Sequence, residues 1–516
     1  MTASAPSEQR RRLTALAVLP GVALVMLNAA MIDLPRGDII AALDTDHYRF
    51  HWVTGSYLLG GAAGMCLTRF CAGRWGLRVS FCGALLLFTA AAALCGTVSE
   101  VVRMAPLRLL QGAGAGLTVS AGMVLLWRAF GEEKPRAMAL YGLAVYLAAL
   151  AGPVVAGLLT AALSWRWVFY LDLPLGLAAA ARAVRLLEAE RPAPAGPVPF
   201  DFVGLVLFLA AVAALNVVLD MGQYWGWATS PFFVPWLAAL VICGGAFVLW
   251  GALARAPLID LRLFAVRNYA LGIAIKAVFS INLYVLLGLL SAYMIGLRRY
   301  QWWQGALVFL PAAAVFAVLA AGSVRWQSYR RGRMFAGMAL MALATWSISA
   351  VDLYTDKRWL AAGVALWAAG AGLVLVPVMR TIFEGLTPAQ TLHAAGVFNM
   401  TRLLPAYAAG ALLAALLVQR ADAHFDRLRE DVTYNRPIVS ETTRHLLRHY
   451  ADRGSGLERS RQQARATLGR WVHANARAFA LQTILRYLAL VPVVGMGMVV
   501  FVRRPARAEN AATPAA

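Results

Sequence analysis

The chain has 516 residues, of which 61% are hydrophobic and 14% are charged, and its formal net charge is +22. Soluble domains carry about 25% charged residues, so this composition excludes an ordinary soluble protein and leaves no room for a soluble catalytic domain. Nearly all of the basic residues are arginines in short loops between apolar runs, which is typical of the cytoplasmic loops of membrane proteins rather than of a nucleic-acid surface. We therefore expect an all-α integral membrane protein that is not an enzyme.

The first half of the chain contains six apolar runs, each about long enough to cross a hydrocarbon core. A basic N-terminal tail, 1–12, precedes them, and the first run is longer than the 7–15 residues of a signal peptide, so it is expected to be retained as a span. Together the runs predict an N-terminal six-helix bundle at 13–190. The six predicted spans lie near 13–33, 53–72, 79–98, 104–127, 137–162 and 166–185.

The second half begins with a cytoplasmic Pro-rich connector at 191–201 and two inserted spans within 202–254, near 202–220 and 231–253. Six further runs then predict a C-terminal bundle at 255–502, followed by a cytoplasmic tail at 503–516. These runs lie near 269–290, 304–322, 334–352, 359–379, 391–418 and 479–502. The sequence thus predicts about fourteen transmembrane helices, arranged as two six-helix bundles plus an inserted pair.

The distribution of Arg and Lys predicts that both termini are cytoplasmic, because the loops on that side carry most of the basic residues. The polar stretch 419–478 is then placed outside the membrane. Its first and last parts show helical spacing of apolar residues, with a break at Gly454 and Gly456.

Three ionisable residues near or within the first six runs are candidates for proton coupling: Asp33, Arg108 and Asp172. Charges at membrane depth are costly, so they are rare and mark functional pathways. Arg108 and Asp172 are predicted at similar depth, where they can pair and where protonation of the acid would release the arginine. The alternatives are a permanent structural ion pair and, for Asp33, a side chain that reaches the interface.

Two cations in the second bundle, Lys276 and Arg402, are predicted near the middle of the membrane. If they face a central cavity, they attract an anionic or phenolate group; otherwise they bond to carbonyls or, for Lys276, extend to the interface. Tyr146, Asn282 and Tyr284 are candidates for lining the same pocket, although aromatic residues at helical spacing more often serve packing.

Glycine pairs at i, i+4 spacing, Gly60 with Gly64 and Gly112 with Gly116, predict close helix packing on the two spans that carry them. The run beginning at Gly112 is not a nucleotide loop, since no strand precedes it, and GxxxxGK[ST] does not occur in the chain. The cysteines offer neither a disulfide framework nor a metal site, because all five fall in or at the ends of apolar segments. We expect no metal and no cofactor, with a proton gradient as the energy source.

Several segments together resemble the major facilitator superfamily, in particular its fourteen-span drug:proton antiporters of the EmrB/QacA type. LRLLQGAG at 107–114 is similar to the family's span-four motif, and GPVVAG at 152–157 to its span-five antiporter motif. WRWVF at 165–169 fits the segment that follows. The resemblance extends over essentially the whole chain and implies a rocker-switch fold in which Arg108 is the buried arginine of coupling.

Two sets of gating residues follow from the resemblance. Gly152, Pro153 and Gly157 would form the bend associated with antiport, and the loop after span two keeps Arg74, Gly76 and Arg78 of the family's gate. That loop lacks the acid usually found before its arginine, since Gly73 stands there. The first span also departs from the family, because Met26 occupies the place of its usual Asp.

The sequence therefore predicts a proton-coupled antiporter of the bacterial inner membrane that exports hydrophobic drugs or toxic compounds, including aromatic acids or phenolics. Similarity of the long loop to that of EmrB implies a tripartite pump, with loop 419–478 contacting a periplasmic adaptor (membrane fusion) protein that leads to an outer-membrane channel. The alternatives are an uptake or metabolite facilitator of the same fold and a non-transporting scaffold that binds partners through 419–478.

Overall fold

The computed structural model describes residues 8–32, 34–188, 200–222, 225, 227, 230–326, 329–432, 436–453 and 456–503. Within these ranges the chain forms helices, turns and loops and contains no β-strand, which confirms the all-α class. Asp33 and most of the predicted connector, 191–199, lie outside the described residues.

The described residues form seventeen α-helices. The first ten are α1 (Glu8–Met31), α2 (Arg36–Ala42), α3 (His47–Trp75), α4 (Leu77–Cys95), α5 (Val101–Ala129), α6 (Lys134–Ala162), α7 (Trp167–Tyr170), α8 (Asp172–Leu186), α9 (Phe202–Met221) and α10 (Phe233–Leu253). The others are α11 (Arg267–Ser291), α12 (Trp302–Arg325), α13 (Arg330–Ile348), α14 (Lys357–Phe383), α15 (Pro388–Asp431), α16 (Pro437–Ala451) and α17 (Leu457–Val500).

Among the described residues, 12 helices are long and apolar enough to cross a membrane, counting α7 and α8 as one. Two of the predicted spans, 53–72 and 334–352, fall on α3 and α13, which are also long but do not reach the same apolarity. Their crossing, and with it the count of fourteen, stays a prediction.

The helices form two bundles with an additional pair beside them. Helices α1, α3, α4, α5, α6 and α8 pack together, as do α11 to α15 and α17. The bundles meet where α6 contacts α12 and α14, and where α15 contacts α3 and α5. The inserted helix α9 packs on α10 and lies against both α3 and α15, so it touches each bundle.

Small residues bring α3 and α5 into backbone contact; the glycine spacing predicts close packing on each helix, and the structure shows that the two pairs pack against each other's helix. A Cβ added to Gly60 would lie 2.0 Å from the carbonyl oxygen of Leu109, and one added to Gly112 would lie 2.2 Å from that of Tyr57. Such close approach gains van der Waals packing without large side chains. It also fixes the register of α5 against α3 and thereby the position of Arg108.

The polar stretch 419–478 is largely a continuation of the neighbouring spans. Helices α15 and α17 have 44 residues each, or about 66 Å at 1.5 Å per residue, whereas a hydrocarbon core is about 30 Å thick. Their excess length forms a helical extension with α16, held by stacking of Phe425 on His473 with ring centroids 3.9 Å apart and by a 2.8 Å Tyr450–Thr467 hydrogen bond. The predicted helical spacing is confirmed here, and Gly456 precedes α17 as its N-cap.

Candidate functional site

Arg108 lies on α5, one turn before Gly112, and its side chain is buried between α3 and α7. Its Nη1 donates to Gln111 Oε1 over 2.7 Å, and its Nε donates to the carbonyl oxygen of Val53 over 3.4 Å. The guanidinium also lies 4.2 Å from the ring centroid of Tyr57, a cation–π geometry. The arginine is thus held in a polar and aromatic niche within the N-terminal bundle.

A chain of hydrogen bonds connects this arginine to Asp172 at the start of α8. Gln111 Nε2 donates to Asn28 Oδ1 over 3.1 Å, and Asn28 Nδ2 donates to Asp172 Oδ2 over 2.6 Å. The described contacts join the two charges through two amides, and Arg108 lies within electrostatic range of Asp172, so their predicted direct pairing stays a prediction. We call Asp172, Asn28, Gln111 and Arg108 the polar relay.

The hydrogen bonds of the polar relay can change with the protonation state of Asp172. Asp172 is fully buried, and its Oδ1 has no hydrogen-bond partner among the described side chains, so one oxygen is available for a proton while Oδ2 accepts from Asn28. A proton on the carboxyl changes the charge that Asn28 faces, and the amides can rotate to follow. Asp33, the other acid predicted to act in coupling, lies outside the described residues.

Lys276 lies on α11 at the contact between the two bundles, where it is fully buried. Its Nζ donates to Ser280 Oγ over 2.7 Å and lies 5.1, 5.4 and 5.7 Å from the ring centroids of Phe398, Phe279 and Tyr146. The alternative in which this lysine extends to the interface is excluded by its burial. Because Tyr146 belongs to α6, the cage of rings is built from both bundles.

Arg402, on α15, is buried against α1, where a guanidinium nitrogen contacts the sulfur of Met26. Its other neighbours are phenols: Tyr141, Tyr146 and Tyr284 lie within electrostatic range of the guanidinium. Arg402 also lies within electrostatic range of Lys276. Among the described residues, neither Lys276 nor Arg402 pairs with a carboxylate, so two cations share one aromatic region at the bundle contact.

The three other residues predicted to bind substrate have different surroundings. Tyr146 packs edge-on against Phe279, with centroids 5.6 Å apart, and is part of the cage. Tyr284 is half-buried, and its hydroxyl lies near the guanidinium of Arg402, with which it interacts electrostatically. Asn282 instead donates to the carbonyl oxygen of Leu488 over 3.2 Å and accepts from Trp367 Nε1 over 2.7 Å, so its amide is engaged inside the C-terminal bundle. Its role in substrate binding stays a prediction.

The predicted gating loop forms a sharp turn between α3 and α4. Gly76 has φ of 81°, a left-handed conformation that favours glycine, and it ends one helix and begins the next. Arg78 donates to the carbonyl oxygen of Val184 on α8, and Arg74 is exposed. The loop thus connects α4 to the end of α8, and its role in gating stays a prediction.

The predicted bend lies within a continuous helix, since α6 runs through Pro153. A Cβ on Gly152 would lie 2.5 Å from the Cβ of Ala30, so this glycine permits close contact with α1; Gly157 is also buried. Proline leaves the backbone of the preceding turn with one hydrogen bond fewer, which makes this the most deformable part of α6. A bend at this point would move α6 against the helix that carries Asn28.

Sequence reasoning missed several residues of the site. Asn28 is a polar amide inside the apolar run of α1. Such a residue indicates a functional position in the same way as a buried charge, although less strongly. Asn399 was also missed; its Oδ1 accepts from Tyr141 over 2.9 Å and so joins α15 to α6. Trp127 contacts Phe383, with centroids 5.0 Å apart, at the predicted inner ends of α5 and α14. No group of three or more metal-ligating side chains occurs among the described residues.

Comparison with known proteins agrees with this architecture. The family model of the Major Facilitator Superfamily matches residues 17–411. The fatty acid resistance protein FarB of Neisseria gonorrhoeae is 26% identical over 404 residues, covering 77% of this chain and 78% of FarB. The multidrug export protein EmrB of Haemophilus influenzae is 23% identical over 437 residues, covering 82% of this chain and 84% of EmrB.

A solved structure shares the fold at lower sequence identity. The crystal structure of the human organic anion transporter MFSD10 (TETRAN) superposes with a TM-score of 0.59 at 14% identity, covering 96% of this chain and 100% of that one. At this identity the likeness supports the helical architecture alone.

Proposed function

This chain belongs to the Major Facilitator Superfamily, and on that premise we propose that it is a proton-coupled antiporter that exports hydrophobic and anionic aromatic compounds. It is a multi-pass membrane protein of a transporter family with bacterial relatives, rather than an enzyme. The relative named for multidrug export supports an outward direction of transport.

The polar relay is the observation that carries proton coupling. It places a fully buried carboxyl at one end and a buried arginine at the other, with two amides that can rotate between them. Uptake of a proton by Asp172 removes the negative charge that Asn28 faces, and the change reaches Arg108 through Gln111. Arg108 lies beside Tyr57 on α3, so a change in its hydrogen bonds alters the packing of α3 against α5. Such a two-state element is what coupling to a proton gradient requires.

The pair of cations supports an anionic substrate. An unpaired charge in a low-dielectric interior is costly, and a carboxylate or phenolate entering between Lys276 and Arg402 offsets that cost. The rings of Tyr146, Phe279 and Phe398 supply an apolar and aromatic wall for the rest of the molecule. The relative named for fatty acid resistance, which concerns amphiphilic carboxylates, is consistent with this class of substrate.

The proposed setting is the bacterial inner membrane, with both termini in the cytoplasm. The helical extension of α15, α16 and α17 would then project into the periplasm, where it offers a surface for an adaptor protein and, through the adaptor, an outer-membrane channel. Its packed rings and hydrogen bonds favour a preformed surface over a flexible loop.

Transport into inside-out vesicles tests the proposal. An acid interior should drive accumulation of an aromatic carboxylate by the intact protein, because the vesicle interior corresponds to the cell exterior. Asp172→Asn should abolish the dependence on the pH gradient, and Lys276→Ala should raise the concentration needed for half-maximal transport by about tenfold, the loss of about 1.4 kcal/mol of binding. Lys357→Ala, which alters a lysine at the start of α14, is the matched control.

Undiminished gradient-driven transport by both site variants would contradict the proposal. Accumulation that requires the opposite gradient would instead favour an uptake facilitator. Loss of transport after deletion of 432–456 without any effect of Asp172→Asn would favour the scaffold.

A further inference from the structure

A second group of titratable side chains lies at the predicted outer end of the protein, where four helices meet. Asp220 is at the end of the inserted helix α9, His51 is near the start of α3, Arg36 begins α2 and Tyr407 lies on α15. Helices α2 and α3 belong to the first bundle and α15 to the second, so Asp220 stands between the two bundles. We call these four residues the outer junction.

The hydrogen bonds of the outer junction converge on the carboxylate of Asp220. His51 Nδ1 lies 3.2 Å from Asp220 Oδ1, and the hydroxyl of Tyr407 donates to Asp220 Oδ2. Arg36 Nη2 lies 3.2 Å from His51 Nε2, and the same guanidinium lies 5.1 Å from the ring centroid of Phe50. The Asp220 carboxylate therefore binds a residue of α3 through one oxygen and a residue of α15 through the other.

These contacts specify a protonation state. A guanidinium can only donate, so His51 Nε2 accepts from Arg36, and the ring proton must be on Nδ1, from which it is donated to Asp220. Both oxygens of Asp220 accept, which requires the ionised carboxylate. The described geometry is that of a neutral histidine between a cation and an anion.

A proton added to this arrangement changes it in one of two ways. On His51 Nε2 it removes the acceptor of the Arg36 hydrogen bond and places an imidazolium against a guanidinium, while the contact of His51 with Asp220 becomes an ion pair. On Asp220 it removes the negative charge, so that the hydrogen bonds with His51 and Tyr407 lose the added strength that the ionised carboxylate gives them.

We propose that His51 and Asp220 form a second proton-binding site, separate from the polar relay, through which the inserted helix α9 holds the outer ends of α3 and α15 together until a proton arrives from outside. The inference rests on the proposed function, since it assigns to the inserted pair a part in the transport cycle. Passage of the proton from His51 to Asp220 weakens the hydrogen bonds that hold α3 and α15 to α9, which permits the outward opening that export needs.

Exposure gives the proton a route to this site. The side chain of His51 is 27% exposed, whereas that of Asp220 is 7% exposed, so a proton from solution meets the imidazole first. Asp46, the N-cap of α3, and Arg49 on that helix are exposed and pair with each other over 3.8 Å. Arg36, Asp220 and Tyr407 are the charged and titratable groups that face His51 in the junction from α2, α9 and α15.

A distance measurement on the full chain in lipid nanodiscs, without substrate or gradient, tests the inference. Spin labels on Ala42→Cys of α2 and Val418→Cys of α15, in a background with the five native cysteines replaced, report the separation of the outer ends. The distance distribution should shift to longer values between pH 8 and pH 5. His51→Gln should lose that shift, and Asp220→Asn should show the longer distances at both pH values.

His393→Gln, at the opposite end of α15, is the matched control and should keep the pH response of the parent protein. A parent protein without a shift, or a His51→Gln variant that keeps it, would overturn the inference. Because no substrate is present, this outcome is independent of the vesicle assay. Export without a pH-dependent shift in distance would contradict the second proton site alone. A shift in distance without export would contradict the proposed antiport alone.

Discussion

Replacing Asn28 by leucine should uncouple the polar relay while leaving the fold intact. Asn28 lies at the centre of the relay, where Nδ2 donates to Asp172 Oδ2 over 2.6 Å and to the carbonyl oxygen of Val168 over 3.2 Å, and Oδ1 accepts from Gln111 over 3.1 Å. Leucine is similar in size but makes none of these bonds, so the buried carboxylate loses its described partner.

The size of the effect follows from the hydrogen bond to the charged group. Such a bond contributes about 1.5–3 kcal/mol, and a loss of that size in the transition state of transport lowers its rate by about ten- to hundredfold. The assay is uptake of an aromatic carboxylate into inside-out vesicles with an acid interior, normalised to the amount of folded protein by size-exclusion chromatography.

The matched control is Thr89→Val. Thr89 is also buried in the first bundle, and its hydroxyl donates to the carbonyl oxygen of Leu85 on its own helix, outside the relay. This variant should export at close to the parent rate. If Asn28→Leu exported as fast as the parent, or if Thr89→Val lost as much, the connection between Asp172 and Arg108 would not run through this amide.

Three further outcomes follow from the packing and charges. Gly112→Ala should destabilise the protein in detergent by about 1–3 kcal/mol, because its Cβ would lie 2.2 Å from a carbonyl oxygen of α3. Gly245→Ala is the control, because a Cβ at Gly245 meets nothing within 4 Å. Equal melting temperatures for the two variants would refute this prediction. Tyr141→Phe should reduce the free energy of unfolding by about 0.5–1.5 kcal/mol and so lower the denaturation midpoint, because Asn399 Oδ1 loses the donor that reaches it from the other bundle. An unchanged midpoint would contradict this prediction. The Arg136 hydrogen bond, with Arg11 nearby, lowers the pKa of Glu133, so its stabilising effect is present near neutral pH and is lost as pH falls through the native pKa. Thermal melts should therefore show Glu133→Gln below the parent at pH 7, with a difference that shrinks below about pH 4; a constant difference would contradict the linkage.

The sequence was sufficient to find the buried charges, because an ion in an apolar run is conspicuous. It could not supply their partners. Lys276 is caged partly by Tyr146, which is 130 positions away, and no local pattern connects the two. Asn282 lies on the same helix as Lys276 but is engaged inside its own bundle, because a helix that is apolar all round does not reveal which face meets a neighbour.

In the polar stretch 419–478, too, the sequence predicts some features of the structure and not others. Apolar spacing predicts its helices, and the break at Gly456 marks the start of α17. The continuity of α15 from Pro388 to Asp431 was not apparent, because hydropathy ends a span where the polar residues begin, whereas nothing after residue 418 stops the helix before Asp431. The outer junction was missed because His51 and Asp220 each stand at the end of an apolar run, where a polar residue is ordinary.

The proposed proton site and the proposed substrate site are both in contact with one helix, α1. Asn28 binds Asp172 within the first bundle, and Met26, two residues earlier on the same rigid helix, contacts Arg402 of the second bundle. Two residues along a helix differ by about 200° in direction and about 3 Å in height, so one helix presents both side chains to opposite neighbours. A rotation or shift of α1 that follows a change at Asp172 must therefore move Met26 against Arg402. Coupling over such a distance needs only one stiff element with two arrangements.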